Sequence, residues 1–416
     1  IMLSAVILAL VAIAFVMIVI EDIIHVNKAK TTLFFGTLCW ILAFIFPMHG
    51  ATSAEISEQL NHNLLEIATL WLFLMSTMTF VAYLNSKGFI SQVVQRLLPA
   101  ELSERRLMFI IAVFAFVFSS FADNVTATLV AIAVISSIKL EVKKRIQYAT
   151  LIIFAVNSGG VSLITGDVTT LMFFLAGKVT IANLLLLIIP SLFAVTVLAI
   201  LLSRKMKGRI VLEKSPKPIE KADVIIAIIF ASTIGSTLLF NILFQIPPVL
   251  TFLFGLGVMF LAAQYLLRKK TGVNILSYIR EVEFDTLLFF LGVLLLVGIM
   301  KEIGVLTNIT HLYQYLEPVQ ANYLMGLMSA LIDNVPLTAA LLKADLTMTT
   351  AEWLTLTYAT GVGGSILIIG SAAGIIAMSK VKELTFGTYF KMAGYLLGCY
   401  SLGYVGVYFV GQFALA

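Results

Sequence analysis

Three aspartates stand where aspartates are costly. Asp123, Asp167 and Asp333 are the only acidic residues, of 22 in the 416-residue chain, that fall deep inside long apolar stretches. A charged carboxylate at the centre of a bilayer costs about 2.5 to 3.5 kcal/mol on insertion scales, and a bound cation or a proton removes that cost. Asp123 and Asp333 each precede an asparagine, Asn124 and Asn334, and each pair interrupts an apolar run. Carboxylates, amide oxygens, hydroxyls and carbonyls freed at a break form the ligand set that a hard cation such as sodium or lithium takes. A transition metal fits poorly. His25, His49, His62 and His311 lie near span ends or in loops and form no cluster, so they read as interfacial or pH-responsive bystanders.

Further oxygens lie close by in the sequence. Asn157 and Ser158 precede Gly159-Gly160, and Thr169 and Thr170 follow Gly166-Asp167-Val168, while Ser365 and Ser371 flank a second glycine-rich stretch. Asn157, Ser158, Ser365 and Ser371 can serve as cation ligands or simply as hydrogen bonds between helices. A blander role exists for the aspartates too, because Asp and Asn favour helix N-caps and Pro336 suits a first turn. Capping alone does not explain breaks at membrane depth, where irregular chain is tolerated only beside protein or a water-filled cavity. A carboxylate that holds either a proton or a cation couples the two flows by competition, so rising pH favours the cation. Asp123, Asp167 and Asp333 are all candidates for the proton carrier, and if they are coupled they titrate as a unit.

These residues need membrane-spanning elements to position them. Hydrophobic residues make up 60% of the chain and charged residues 12%, which excludes an ordinary soluble fold. Apolar runs of about 20 residues predict ten spans, near 2–20, 32–48, 65–85, 147–177, 181–203, 223–243, 249–267, 284–300, 353–379 and 387–411. The first run, from Ile1, is too long for a signal-peptide core and lacks a cleavage site after it. Cys39 and Cys399 sit singly in apolar runs and read as packing residues. The net charge of +5 does not point to nucleic acid, because the basic residues alternate with the spans.

The stretches 107–138 and 321–342, each cut by an Asp-Asn pair, read as re-entrant hairpins. If each returns to its starting face, the basic residues at 28–30, 87–106, 139–145, 204–221, 268–280 and 380–391 share one side. Only Lys178, Lys301 and Lys343, of 27 Lys and Arg, remain for the other side. The positive-inside rule makes the first side cytoplasmic and places both termini outside. On this reading no lysine or arginine lies as deep as the three aspartates.

The sequence also repeats itself. Ser119-Ser120-Phe121-Ala122-Asp123-Asn124-Val125-Thr126-Ala127-Thr128 matches Ser329-Ala330-Leu331-Ile332-Asp333-Asn334-Val335-Pro336-Leu337-Thr338. Gly159-Gly160 with Gly166-Asp167-Val168-Thr169-Thr170 matches Gly363-Gly364 with Gly370-Ser371-Ala372-Ala373-Gly374. Glu66, Thr69, Leu70 and Leu74 match Glu283, Thr286, Leu287 and Leu291 more weakly. An odd number of spans per half inverts the second copy, the arrangement that places transporter sites at broken helices near the midplane. The expected architecture is an all-α polytopic membrane protein of two inverted repeats, 1–210 and 222–416, joined by a hydrophilic linker at 211–221. Each repeat carries one hairpin and one broken helix, 147–177 or 353–379.

The two Asp-Asn breaks and the two glycine-rich stretches resemble those of NhaD-type sodium/proton antiporters, part of a superfamily that includes arsenite permeases and dicarboxylate/sodium symporters. The resemblance covers essentially the whole chain. It implies sodium or lithium exchange for protons, activity favoured at alkaline pH, a bacterial inner membrane, and a homodimer whose transport domain moves against a scaffold as an elevator. It implies no cofactor beyond the transported ion, no enzymatic reaction and no nucleic-acid partner. Hairpin-tip Ser and Asn residues bind sodium in the superfamily, which maps onto Ser119, Asp123 and Asn124, and onto Ser329, Asp333 and Asn334. The symporters have Ser where this chain has Asp, a departure that favours a cation alone. Asp167 has only Ser371 as its counterpart, so the first half is expected to bind more tightly. The competing expectations are an anion or arsenite permease, disfavoured for a dicarboxylate by the lack of a deep cation; an intramembrane aspartyl protease; and a pure scaffold.

Overall fold

The computed structural model describes residues 2–47, 51–212, 214, 217–267, 275–282 and 284–415. Ile1, His49, the Ser215-Pro216 part of the linker, Arg268, Lys269, Lys270 and Glu283 lie outside the described residues. The first half comprises α1 (Met2–Val19), the single turn α2 (Glu21–Ile24), α3 (Lys28–Ile45), α4 (Ser53–Ser86), α5 (Phe89–Leu97), α6 (Glu104–Phe121), α7 (Asn124–Ser136), α8 (Val142–Gly160), α9 (Val168–Leu175), α10 (Ile181–Leu185) and α11 (Ile188–Ser203). The second comprises α12 (Lys221–Phe244), α13 (Pro248–Leu266), α14 (Phe284–Glu302), α15 (Thr307–Tyr315), α16 (Pro318–Ser329), α17 (Asn334–Lys343), α18 (Thr350–Gly363), α19 (Ala372–Lys380), α20 (Phe386–Phe390) and α21 (Ala393–Leu415).

Apart from α2, the helices of the two halves follow one another in the same order. Among the described residues, seven helical segments are long and apolar enough to cross a membrane. The chain is a helical multi-pass membrane protein, with much of its outer surface apolar, as lipid requires.

Local chemistry sets the helix ends. Thr52 and Glu55 form a capping box that starts α4 twelve residues before the expected span at 65, because Ser53, Glu58, Gln59 and Asn63 are too polar to register as an apolar run. Thr349 and Glu352 do the same for α18. Two short helices, α5 and α15, lie between the long spans and the hairpins, where apolar-run reading shows nothing. The approach to the linker also holds structure: β1 (Glu101–Ser103) pairs antiparallel with β2 (Arg209–Val211), with Leu102 opposite Ile210.

α6 and α7 pack on each other, and both lie against α8. α16 packs along α18 in the corresponding way. The broken helices cross between halves, with α8 against α19 and α18 against α9. Such exchange of first and second segments is what two broken helices running past one another in opposite directions would give. Glycine permits the closest approaches. A Cβ at Gly159 would stand 2.0 Å from Phe116 O, and one at Gly363 would stand 2.1 Å from Gly326 O. Positions 116 and 326 stand 210 residues apart, the offset at which the Asp-Asn stretches match, so a like backbone contact fastens α6 to α8 and α16 to α18.

Gly159→Ala and Gly363→Ala should each destabilise the protein by about 1 to 3 kcal/mol or more through overpacking. Gly235→Ala, where an added Cβ meets nothing within 4 Å, should cost nothing. Thermal unfolding in detergent compares the three.

Candidate cation site

Four helix N-termini meet around a cavity of about 270 Å³. Asn124 and Val125 of α7, Val168 of α9, Asn334 and Val335 of α17, and Ala372 of α19 all line it. Each helix is capped by a residue of the repeated motifs. Asp123 Oδ1 accepts from the Thr126 amide at 2.9 Å and Oδ2 from the Thr126 hydroxyl at 2.8 Å. Asp167 Oδ1 accepts from the Thr169 amide at 2.9 Å and its hydroxyl at 3.0 Å. Asp333 Oδ1 accepts from the Val335 amide at 3.2 Å, and Ser371 Oγ from the Gly374 amide at 3.3 Å. The partial positive charge of a helix N-terminus offsets part of the charge each carboxylate brings into a low-dielectric site.

Five of the sequence-predicted residues line the cavity itself: Asp123, Asn124, Asp167, Asp333 and Asn334. Asn124 links the first hairpin tip to the first broken helix, its Nδ2 donating to Asp167 Oδ2 at 3.1 Å. The others support this group from behind. Ser119 Oγ lies 2.7 Å from Val156 O and 3.0 Å from Asn124 Oδ1, and its single hydrogen serves one of them at a time. Ser329 Oγ donates to Thr360 O at 2.6 Å, the equivalent bond in the other half. Asn157 Nδ2 donates across the halves to Ser365 Oγ at 2.8 Å and Ser371 Oγ at 3.0 Å, realising the helix-to-helix alternative. Among the described residues its buried Oδ1 and the buried Ser158 Oγ have no hydrogen-bond partner. Thr170 donates to Val161 O at 3.3 Å within the first break.

The cavity corrects the sequence reading on one important point. A lysine does reach the breaks: Lys28, the first residue of α3, places Nζ 2.8 Å from Asp333 Oδ2 and 4.4 Å from the centre of the Phe289 ring. In sequence it stands at the edge of a span, and only the approach of α3 to the second hairpin brings it inward. Glu21, Asn27 and Asp285 also line the cavity. Glu21 Oε1 accepts the Lys28 amide at 3.1 Å, and Asn27 Nδ2 donates to Asp285 Oδ2 at 3.3 Å. The compact polar run from Glu21 to Lys28 between two apolar spans was the available signal. Among the described residues the cavity thus carries five carboxylates against one ammonium. Among the described residues Asp123 has no ion pair, whereas Asp333 is paired.

A second cavity, of about 280 Å³, lies between α4, α9, α14 and α17, which also line the first. Leu65, Glu66, Thr69 and Leu70 of α4, Met172 and Leu175 of α9, Leu294 of α14 and Ala339, Leu342 and Lys343 of α17 line it. The residues of the weaker repeat match divide between the cavities: Thr286 lines the first, and Glu66 and Thr69 the second.

A polytopic helical protein with capped half-helices around an acidic cavity is built as a secondary transporter. Residues 1–374 match the family described as Citrate transporter. The Na(+)/H(+) antiporter NhaD of Vibrio cholerae is 31% identical, over 95% of this chain and 88% of that protein. The NhaD of Alkalimonas amylolytica is 31% identical over 93% and 86%, and sodium/proton antiporter 1 of Arabidopsis thaliana 29% identical over 93% and 69%. The chain belongs to the citrate-transporter family and, within it, to the NhaD-type antiporters.

Cap and charge can be separated at Asp123. Asp123→Ser keeps an N-cap oxygen and should unfold near the parent's temperature, whereas Asp123→Ala should lose about 1 kcal/mol. If the carboxylate served only as a cap, Asp123→Ser would keep full transport; loss of transport with intact stability is expected.

Proposed function

We propose that this protein exchanges sodium or lithium for protons across a membrane, with cation and proton competing for Asp123, Asp167 and Asp333. The observation that carries this reading is the charge of the first cavity: among the described residues, five carboxylates and one lysine line the space where four half-helix N-termini meet. Asn124, Asn334 and the carbonyls at the breaks complete an oxygen set for a hard cation, with Ser119, Ser329, Asn157, Thr169, Thr170, Ser365 and Ser371 holding it in place or adding ligands. The sodium/proton antiport for which the relatives are named agrees with this chemistry.

Lys28 removes the earlier argument that no cation is available for an anionic substrate. Its ammonium is already matched by Asp333, however, and the remaining carboxylates repel a citrate-like anion. Cation exchange is therefore the better reading than anion uptake. The first site, with Asp167 beside Asn124 and no lysine, is assigned the tighter binding.

The remaining proposals are coarser. Glu21, Lys28 and Asp285 line the first cavity from the span ends that the charge pattern assigns to the cytoplasm, so that cavity opens inward, and both termini are external. A bacterial inner membrane, a homodimer, two inverted repeats and an elevator movement complete the proposal, with no cofactor and no enzymatic step.

Proton flux in proteoliposomes under an imposed pH gradient tests the reading. Sodium or lithium should drive proton efflux in the parent, and Asp123→Asn and Asp333→Asn should abolish it. The half-saturating sodium concentration should fall as pH rises, by up to about tenfold per unit where one proton is displaced. Succinate uptake without a cation response would overturn the proposal.

A further inference from the structure

Helix α17 is held at both ends by charged side chains, and each attachment lies in a different cavity. At its N-terminus the capping residue Asp333 pairs with Lys28 of α3 at 2.8 Å. At its last residue Lys343 Nζ lies 2.9 Å from Glu66 Oε2 and 3.0 Å from Asn63 Oδ1, both on α4. The helix itself lines the first cavity at Asn334 and Val335 and the second at Ala339, Leu342 and Lys343. α9 follows the same course, with Val168 in the first cavity and Met172 and Leu175 in the second. α4 and α14 form the facing side of both cavities.

The two ends differ in one respect. Asp333 is a candidate cation ligand, and Lys343 is not. The Lys28 ammonium occupies one oxygen of that carboxylate at hydrogen-bond distance, with the Phe289 ring behind it. A sodium ion on the same carboxylate would stand beside a second positive charge in a partly buried site, where such repulsion is weakly screened. Repeat symmetry demands no such lysine. The helix corresponding to α3 begins at Pro248, and among the described residues Asp123 carries no ion pair.

We propose that Lys28 is a built-in competing cation: it occupies Asp333 when that carboxylate holds neither sodium nor a proton and latches α17 to α3, and sodium or a proton arriving at Asp333 displaces it and frees α17. Lys28 is thus a positioning residue that makes movement of the second hairpin depend on the ion. The carrier with neither ion at Asp333 is held, and the sodium-loaded and proton-loaded carriers are released. The Lys343 attachment at the far end restrains the same helix but does not sense the ion. This inference rests on the exchange reading above and adds to it a device that the site's ligands alone do not supply.

Two measurements on the purified full chain test it: the sodium concentration for half-maximal exchange in proteoliposomes, and the sodium concentration for half-maximal thermal stabilisation in detergent. The variants are Lys28→Met, Lys28→Gln, Lys28→Arg and Lys343→Met. Both neutral variants at position 28 should lower both sodium midpoints, on the order of tenfold, without a matching rise in maximal rate. Lys28→Arg restores a cation at Asp333 and should return both midpoints to the parent value or above it. Lys343→Met should leave the midpoints unchanged and alter only the maximal rate. Parent-like midpoints in both Lys28→Met and Lys28→Gln, with exchange intact in the parent, would overturn the latch alone. Absence of any sodium response in the parent would overturn the exchange reading and the latch together.

Discussion

Charge cannot be left uncompensated at membrane depth, and the architecture follows from how this chain meets that constraint. Asp123, Asp167 and Asp333 each sit at the start of a half-helix, where the backbone amides they cap supply partial positive charge. Breaking a helix creates that N-terminus, but it also frees backbone groups that need partners away from lipid. The chain therefore gathers its breaks in one place, where hairpin tips, broken helices and a polar cavity satisfy one another. What remains after this compensation is an acidic cavity that is best satisfied by a proton or a small cation.

Close packing keeps the breaks together. Gly159 against Phe116 and Gly363 against Gly326 bring backbones to distances no side chain would permit. Ser119 and Ser329 then spend their hydroxyls on carbonyls of α8 and α18, fixing hairpin tip to broken helix in both halves. Asn157 ties one half to the other through Ser365 and Ser371. Equivalence ends at the charges. Asp167 has a serine as its counterpart, and Lys28 pairs with Asp333, so the two sites carry different charge.

Much of this was legible in the sequence, because lipid makes each span a long apolar run and an Asp-Asn pair inside such a run has few explanations. The five residues Asp123, Asn124, Asp167, Asp333 and Asn334 stood out for that reason, and the cavity brings them together. Lys28, Glu21 and Asp285 did not stand out. A charged residue at a span end is ordinary, and its reach into a site depends on helices that approach from 305 residues away. The polar start of α4, the amphipathic α5 and α15, and the β1–β2 pair escaped for related reasons: none leaves an apolar run, and the strand pair joins segments far apart in the chain.

Competition between proton and cation for the same carboxylates is the central claim, and direct binding tests it without any transport step. Sodium titrated calorimetrically into the purified protein, in two buffers of different ionisation enthalpy near the pH of half-maximal binding, reports the protons released per sodium bound. The account predicts net proton release that falls sharply in Asp123→Asn. Sodium binding with the same heat in both buffers, hence no proton released, would contradict it.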